Sequence, residues 1–461
     1  MGNLAGKTAK MGPLMRLSCV NLAVSFAALG GLLYAVGSNR FRIRVGKSTQ
    51  RHRFEPQTVD PTMRATVLSF LCLATVIAYV QRAALGVLSK PIEAELGISQ
   101  SEMGLIMGTW YWVYAVAQLP AGWLADWLGS RRGLVVSLAV WSLLTGAVGL
   151  AGGLWELLVL WGWMGLAQAA LFPCATKAIG AIFPPSGRAF GSGMLGCCMA
   201  LGWTICPLLT WKLDTVTTWQ TTFALYALPG LILAGAFALI VPRYSEPVAD
   251  NARMAVDWKK LVTDGPMLLL CLQQFLRAAG TAFFFTWFAR YLTETRGISK
   301  DAAGQLALWP GIGGMLGGLC GGSISAALLR WTGKPWISRQ GMAVAAMVLG
   351  AGFVYAATRA KDIDLLIAWL TAGAFLGYAC GVSGYTVAIE YGGARVATVF
   401  ATMNMSGNIG AGLFSFAVGW IVDEWKDWNL ALMLVAGLYA ADAVCWMALN
   451  PKGTLYHEGP E

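Results

Sequence analysis

Apolar runs of about 20 residues, the length a helix needs to cross a bilayer, recur along almost the whole chain, separated by short polar loops. Twelve follow residue 63, beginning near residues 65, 102, 134, 156, 189, 220, 266, 303, 339, 363, 396 and 429. A membrane barrel would show short alternating segments instead, so the pattern predicts an all-α polytopic membrane protein. Composition agrees: 57% of the 461 residues are hydrophobic and 12% are charged, whereas a soluble domain carries about a quarter charged residues.

The net charge of +10 does not point to nucleic acid. Arg131, Arg132, Arg188, Arg243, Arg253, Lys259, Lys260, Arg330, Lys334, Arg339 and Arg395 fall at or near every second loop. That is the positive-inside pattern, and it predicts that both ends of the twelve-span body face the cytoplasm. Nearly all ten cysteines lie within apolar spans and read as reduced core residues. The two histidines, His52 and His457, are near the termini, which excludes a histidine relay or histidine metal site inside the membrane. No cofactor or metal is expected.

Residues 1–62 are atypical, with an extra apolar run at 17–37 followed by the basic stretch NRFRIRVGKSTQRHR. This run reads as a thirteenth span with an outside N-terminus, a targeting segment, or sequence upstream of a start at Met63. A cleaved signal peptide would leave the basic stretch outside, against the charge rule.

An internal repeat sets the organisation. At an offset of 200, Gly97-Ile98-Ser99 matches Gly297-Ile298-Ser299, Gly104 matches Gly304, Gly122 matches Gly322, Leu128 matches Leu328 and Gly133 matches Gly333. Two related six-helix bundles are therefore expected, at residues 63–242 and 265–450, joined by a cytoplasmic linker at 243–264 and followed by a polar tail at 451–461. Parallel repeats imply a cavity between them near the bilayer midplane, opened to each side in turn as one bundle rocks against the other. Glycines 191, 193, 196 and 202 in span 5, 311, 314, 318 and 322 in span 8, and 407 and 410 in span 11 suit close backbone approach. Simple packing accounts for any one of them equally well.

Few side chains carry chemistry. Arg82, beside Tyr79 and Gln81 in the first span, costs several kcal/mol at mid-depth unless it faces a cavity or a partner. Its permanently charged fork suits a carboxylate or phosphate; the alternative is a structural anchor to neighbouring carbonyls. Arg277, in span 7, aligns with Ile77 rather than Arg82, five residues nearer the basic end, or roughly 7–8 Å along a helix. It reads as a second anion contact, a gate residue, or a helix-end arginine reaching the interface. In GWLADWLGSRRG (residues 122–133), Gly122 permits close packing while Asp126 pairs with Arg131 or Arg132, or meets a helix N-terminus across the bundle, forming a latch for the cytoplasm-closed state. Its counterpart in the second half is Ala326, so the latch occurs once.

Over residues 64–450 the chain resembles the major facilitator superfamily, and within it the anion:cation symporter family of hexuronate, galactonate and glucarate transporters and sialin. The matching stretches are LGVLSKPIEAELGIS, YAVAQLPAGWLADWLGSRRG, WSLLTG, ALFP with FPPSGRAFGSG, TWFARYLTETRGIS and MNMSGNIGAG. The resemblance implies two six-helix bundles related by a pseudo-two-fold axis, and alternating-access transport of an organic anion. It places the carboxylate-holding arginine on Arg82, substrate-binding tyrosines on Tyr79 and Tyr114, a glutamine on Gln274 or Gln273, an asparagine on Asn404 and an aromatic on Tyr385. Three family positions differ. The acid before the arginine is Gln81, the helix-4 glutamate is Gln168, and an arginine seven residues earlier is Trp161. Glutamine keeps the shape of a carboxylic acid but cannot titrate. Of the remaining acids, Asp442 is deep in span 12, Glu390 is near the end of span 10, and Asp364 is at its start.

The expectation is a non-enzymatic, monomeric carrier in a bacterial inner membrane. It would bind a sugar acid or other small carboxylate, and use uniport, exchange or another ion in preference to the family's proton route. The alternatives are an exchanger of phosphate or phosphate esters, and a ligand-binding sensor without net transport.

Overall fold

The computed structural model describes residues 60–244, 246, 256–451 and 453–456; the extra apolar run at 17–37, Arg253 and both histidines lie outside them. Besides short helices at Ser89–Leu96, Trp258–Thr263, Phe288–Arg296 and Lys300–Leu306, the long helices are α1 (Pro61–Val87), α2 (Gln100–Leu128), α3 (Ser130–Val148), α4 (Leu154–Gln168 continued by Leu171–Ile182), α5 (Pro185–Asp214) and α6 (Trp219–Ile240). Then come α7 (Gly265–Thr286), α8 (Leu308–Thr332), α9 (Met342–Arg359), α10 (Ile363–Gly392), α11 (Val396–Trp425) and α12 (Trp428–Ala448). Among the described residues, ten segments are long and apolar enough to span a membrane. One of these, 363–422, is α10 and α11 joined by a tight turn at Gly393–Arg395, and α2 is a further helix of spanning length, rich in Trp and Tyr. The protein is an all-α polytopic integral membrane protein.

Packing follows the repeat. In the first half α1 lies on α5, α2 on α4, and α3 on α6; in the second half α7 lies on α11, α8 on α10, and α9 on α12. The halves meet where α8 packs on α5 and α2 packs on α11. The residues matched at offset 200 explain this. Gly97 (φ 65°) and Gly297 (φ 63°) are left-handed helix C-caps, a conformation that costs a residue with a Cβ. Ser99 and Ser299 then cap the next helix, accepting from the backbone N–H groups of Glu102 and Ala302. Gly122 sits where a Cβ would lie 2.5 Å from Ala401 Cβ and 2.8 Å from the Ala397 carbonyl of α11; Gly322 sits likewise 2.7 Å from the Ala189 carbonyl of α5. Gly122 and Gly322 thus sit at the two contacts between halves, Gly322 together with Gly193 and Gly318 at the second.

Pro120, Pro207 and Pro229 lie inside continuous helices, but one proline accompanies a break. Pro173 lacks the N–H that would reach the Ala169 carbonyl, and α4 is interrupted there; the freed oxygen accepts Gln118 Nε2 from α2 at 3.3 Å. The nine described cysteines are free thiols. The C-terminal segment is more than a polar tail: Leu455 N–H donates to the Tyr391 carbonyl, and the Tyr456 carbonyl accepts from Ala394 N–H, which docks the segment beneath the α10–α11 turn.

Candidate anion-binding cavity

Between the halves lies a cavity of about 540 Å³, within the range for small-molecule sites. Its lining runs from the level of Arg82 toward the end opposite the basic loops, through α7 as far as Thr286 and α11 as far as Ser415.

Arg82 is 9% exposed and reaches this cavity. Its guanidinium carbon lies 3.8 Å from the Trp110 ring centre, 4.4 Å from Tyr79 and 5.0 Å from Tyr114. Trp110 and Tyr114, one helical turn apart on α2, stack on each other at 4.5 Å. Aromatic faces offset part of the cost of holding a cation here, at about 0.5–2 kcal/mol per contact. The rings accept no N–H hydrogen bond in the plane of the fork, so its donors are left to other partners. Along the edge of that fork the protein supplies only Gln168 Oε1, at 3.5 Å, and Nε has no acceptor. Among the described residues, no carboxylate forms an ion pair with Arg82.

Across the cavity, Arg277 on α7 is 8% exposed and donates to Gln274 Oε1 at 2.9 Å, again without an ion-pairing carboxylate among the described residues. It is thus a mid-helix cavity residue and does not reach for the interface. Gln274 faces the cavity, whereas Gln273 turns back to the Leu270 carbonyl. Tyr385 lines the cavity, packed edge-on to Phe400 and Phe172, and Asn404 Nδ2 donates to Gln118 Oε1 at 3.1 Å, joining the halves at the cavity floor.

Two of the expected site residues lie outside the lining. Gln81 is buried on another face of α1, where its Nε2 donates to the Tyr226 carbonyl of α6 at 2.7 Å. Gln168 stands behind Arg82, with Nε2 directed at the Ala78 carbonyl at 3.4 Å. Trp161 is core, edge-on to Phe223. Conversely, Trp110 and Gln118, which also stand behind the lining, support Arg82 and Asn404 although the sequence reading did not select them; their signal is the four-residue spacing of Trp110, Tyr114 and Gln118 along one face of α2.

The basic end is closed by two different devices. Asp126 accepts from the N–H groups of Ala397 (3.3 Å) and Thr398 (2.9 Å) and from Thr398 Oγ1 (2.7 Å), at the N-terminus of α11. Its cation is Lys177 of α4, 3.3 Å away, and neither Arg131 nor Arg132. Lys177 is also 3.6 Å from Glu246, whose carboxylate caps the N-terminus of α3 at Ser130. Arg131 instead bonds the Val241 and Ala238 carbonyls at the end of α6, and Arg132 is exposed. In the second half Arg339 pairs with Glu390 at 2.7 Å and donates to Ser325 and to the Pro185 carbonyl that opens α5.

The sequence profile described as "Major Facilitator Superfamily" matches residues 71–389. The chain belongs to that superfamily. It is 26% identical over 428 residues to the probable galactarate/D-glucarate transporter GudP of Bacillus subtilis (86% of this chain, 93% of the relative). It is 28% identical over 388 residues to the D-galactonate transporter of Escherichia coli O6:H1 (77% and 86%). Among solved structures it resembles the E. coli fucose:proton symporter FucP, with a TM-score of 0.69 at 15% identity over 84% of this chain and 98% of that one. Within the superfamily, its relatives include galactarate/glucarate, galactonate and hexuronate transporters, and also a probable sulfoacetate transporter of Cupriavidus necator at 23% identity.

Proposed function

We propose that this chain is an alternating-access carrier, not an enzyme, for a small organic anion of the sugar-acid type, bound between the halves by the N–H edge of Arg82. One observation carries the reading: a buried guanidinium, within 5.0 Å of three aromatic rings, that lines a cavity and forms no ion pair with a carboxylate among the described residues. A desolvated cation with unfilled donors is costly unless an anion completes it. Similarity to the galactarate/glucarate and galactonate transporters supports a hydroxylated carboxylate as that anion. Arg277 and Gln274 supply the second half's donors, with Tyr79, Tyr114, Tyr385 and Asn404 as further contacts.

With the basic loops placed in the cytoplasm of a bacterial cell by the positive-inside rule, the cavity faces the exterior. The Asp126 and Arg339 contacts then hold the cytoplasmic end shut. Rocking must break both, and Gly122 and Gly322 mark where the halves slide. Gln81 and Gln168 cannot titrate, and Gln81 does not face the cavity, so no proton moves with substrate at those two positions. The test is uptake of D-glucarate, D-galactonate and inorganic phosphate into proteoliposomes. Carboxylate uptake that Arg82→Ala abolishes supports the reading; phosphate-only uptake supports a phosphate carrier, and binding without uptake supports a sensor.

A further inference from the structure

One carboxylic acid in the membrane-embedded body remains unexplained. Asp442 on α12 is fully buried at 0% exposure; its Oδ1 has no hydrogen-bond partner, and its Oδ2 receives only the weak donor Cys380 Sγ of α10, at 3.8 Å. It lies one layer behind the cavity wall, because Gly381, next to Cys380, is a lining residue. Gly381 also touches Arg277: a Cβ there would stand 3.1 Å from the Arg277 guanidinium carbon. The backbone of α10 at 380–381 therefore touches Asp442 through Cys380 and Arg277 through Gly381. Arg277 Nε, like Asp442 Oδ1, has no partner.

The surroundings of Asp442 are otherwise almost devoid of charge. Besides Arg277 from α7 and Cys380 from α10, its own helix supplies Tyr439 and Cys445. The α9 helix has no titratable side chain before Tyr355, and the acids of α11 fall in its last turn. A bare carboxylate held dry with one oxygen undonated is unfavourable by several kcal/mol, while a proton on that oxygen removes the charge.

From this placement, and resting on the reading of Arg277 as an anion contact, we infer that Asp442 is a proton-binding site that couples to substrate through Arg277. While Arg277 serves Gln274 and the bound anion, Asp442 Oδ1 carries the proton. When the anion leaves, Arg277 turns its free charge on Asp442; the O–H bond breaks, the electron pair stays on the carboxylate, and the proton passes to water. One proton then accompanies one anion by a route behind the cavity, in a chain whose Gln81 and Gln168 cannot provide one.

Two measurements test this on the full chain in liposomes. The first needs no substrate: infrared difference spectra between alkaline and acidic buffer. The wild type shows a protonated-carboxyl band that Asp442→Asn lacks, and Arg277→Gln moves its midpoint to higher pH, because the cation favouring the carboxylate is gone. A band that survives in Asp442→Asn, or a midpoint unmoved in Arg277→Gln, overturns the inference. The second uses D-glucarate. Acid-outside stimulation of uptake falls at least tenfold in Asp442→Asn, while counterflow, which needs no net proton movement, persists. Wild-type uptake indifferent to the gradient, or an Asp442→Asn protein that responds like the wild type, overturns the coupling. If the wild type moves no member of the panel, the proposed function fails, and the infrared result still decides the proton site. Should Asp442→Asn not fold, the Arg277→Gln midpoint carries the same decision.

Discussion

The two halves agree at the end away from the basic loops and diverge at the centre and at the basic end. Away from the basic loops, a carboxylate after the first helix of each half braces a tryptophan at the start of its sixth: Glu95 accepts from Trp219 Nε1 at 2.7 Å, and Glu294 from Trp428 Nε1 at 3.0 Å. At the centre, Arg82 is clamped by three aromatic rings, whereas Arg277 leans on one glutamine. At the basic end, the first half presents a carboxylate to a helix N-terminus, and the second presents an arginine to the carbonyl of Pro185. The lesson is that symmetry persists where the repeat only has to fold. It is lost at the cavity and at the basic end, where the proposed carrier would bind its substrate and open.

The central contrast yields the largest expected effect. Arg82→Ala should lower D-glucarate uptake by about 100-fold or more, in line with the several kcal/mol carried by a buried charge pair, and Arg277→Ala by about tenfold. Arg82→Lys should recover little, because an ammonium neither stacks between rings nor forks to a carboxylate. Equal losses for the two alanine variants would show that the halves share the anion evenly and break the contrast.

The latch contrast comes next. Asp126→Asn removes a buried charge that faces both Lys177 and the α11 N-terminus, and should destabilise the closed basic end by about 3 kcal/mol, leaving Lys177 underpaired. Glu390→Gln should cost less, since the Glu390 side chain is 27% exposed and water replaces part of what it gives. Labelling of a cysteine placed below the latch, applied from the basic side, reads both. A larger effect for Glu390→Gln would make the Arg339 device the principal latch. The glycines between the latches should, by contrast, behave alike. Gly122→Ala and Gly322→Ala each force a Cβ against backbone of the other half and should each cost about 1–3 kcal/mol in thermal stability. A clear difference between them would show that the two contacts do not share the load.

What the sequence could reveal followed physical necessity. The twelve helices were legible because a bilayer demands their length, and the repeat was legible at Gly97, Ser99 and Gly122 because caps and close approaches tolerate few residue types. Arg82 stood out because a charge in an apolar run is expensive. Gln81 was misplaced for a local reason: adjacent helical residues point about 100° apart, so Arg82 and Tyr79 share a face that Gln81 cannot. Trp110 was invisible as one of 21 tryptophans in an oily chain. The pairing of Asp126 with Lys177 depends on α2 and α4 lying side by side, and the basic residues nearest in sequence, Arg131 and Arg132, concealed it.

The smallest expected effect probes the region where the halves agree. Arg290 donates to Glu294 at 2.6 Å and holds its carboxyl below the usual range, with Trp428 helping; the Glu95 brace uses the neutral donors Trp219 and Gln220 instead. A folded-state value below the unfolded one means that Glu294 adds stability above the ordinary carboxylate range, and that this contribution is lost as pH falls through the folded value. The pair is exposed, so the contribution is small. Melting curves from neutral to acid pH should therefore show a slightly shallower decline in Glu294→Gln than in wild type, since the variant has no such charge to lose. An Arg290→Gln protein should resemble it, because removing the donor removes the shift. If neither variant alters the decline, the cation at this brace is incidental. The two halves would then be held alike by their tryptophans, and the symmetry away from the basic loops would extend to energy as well as shape.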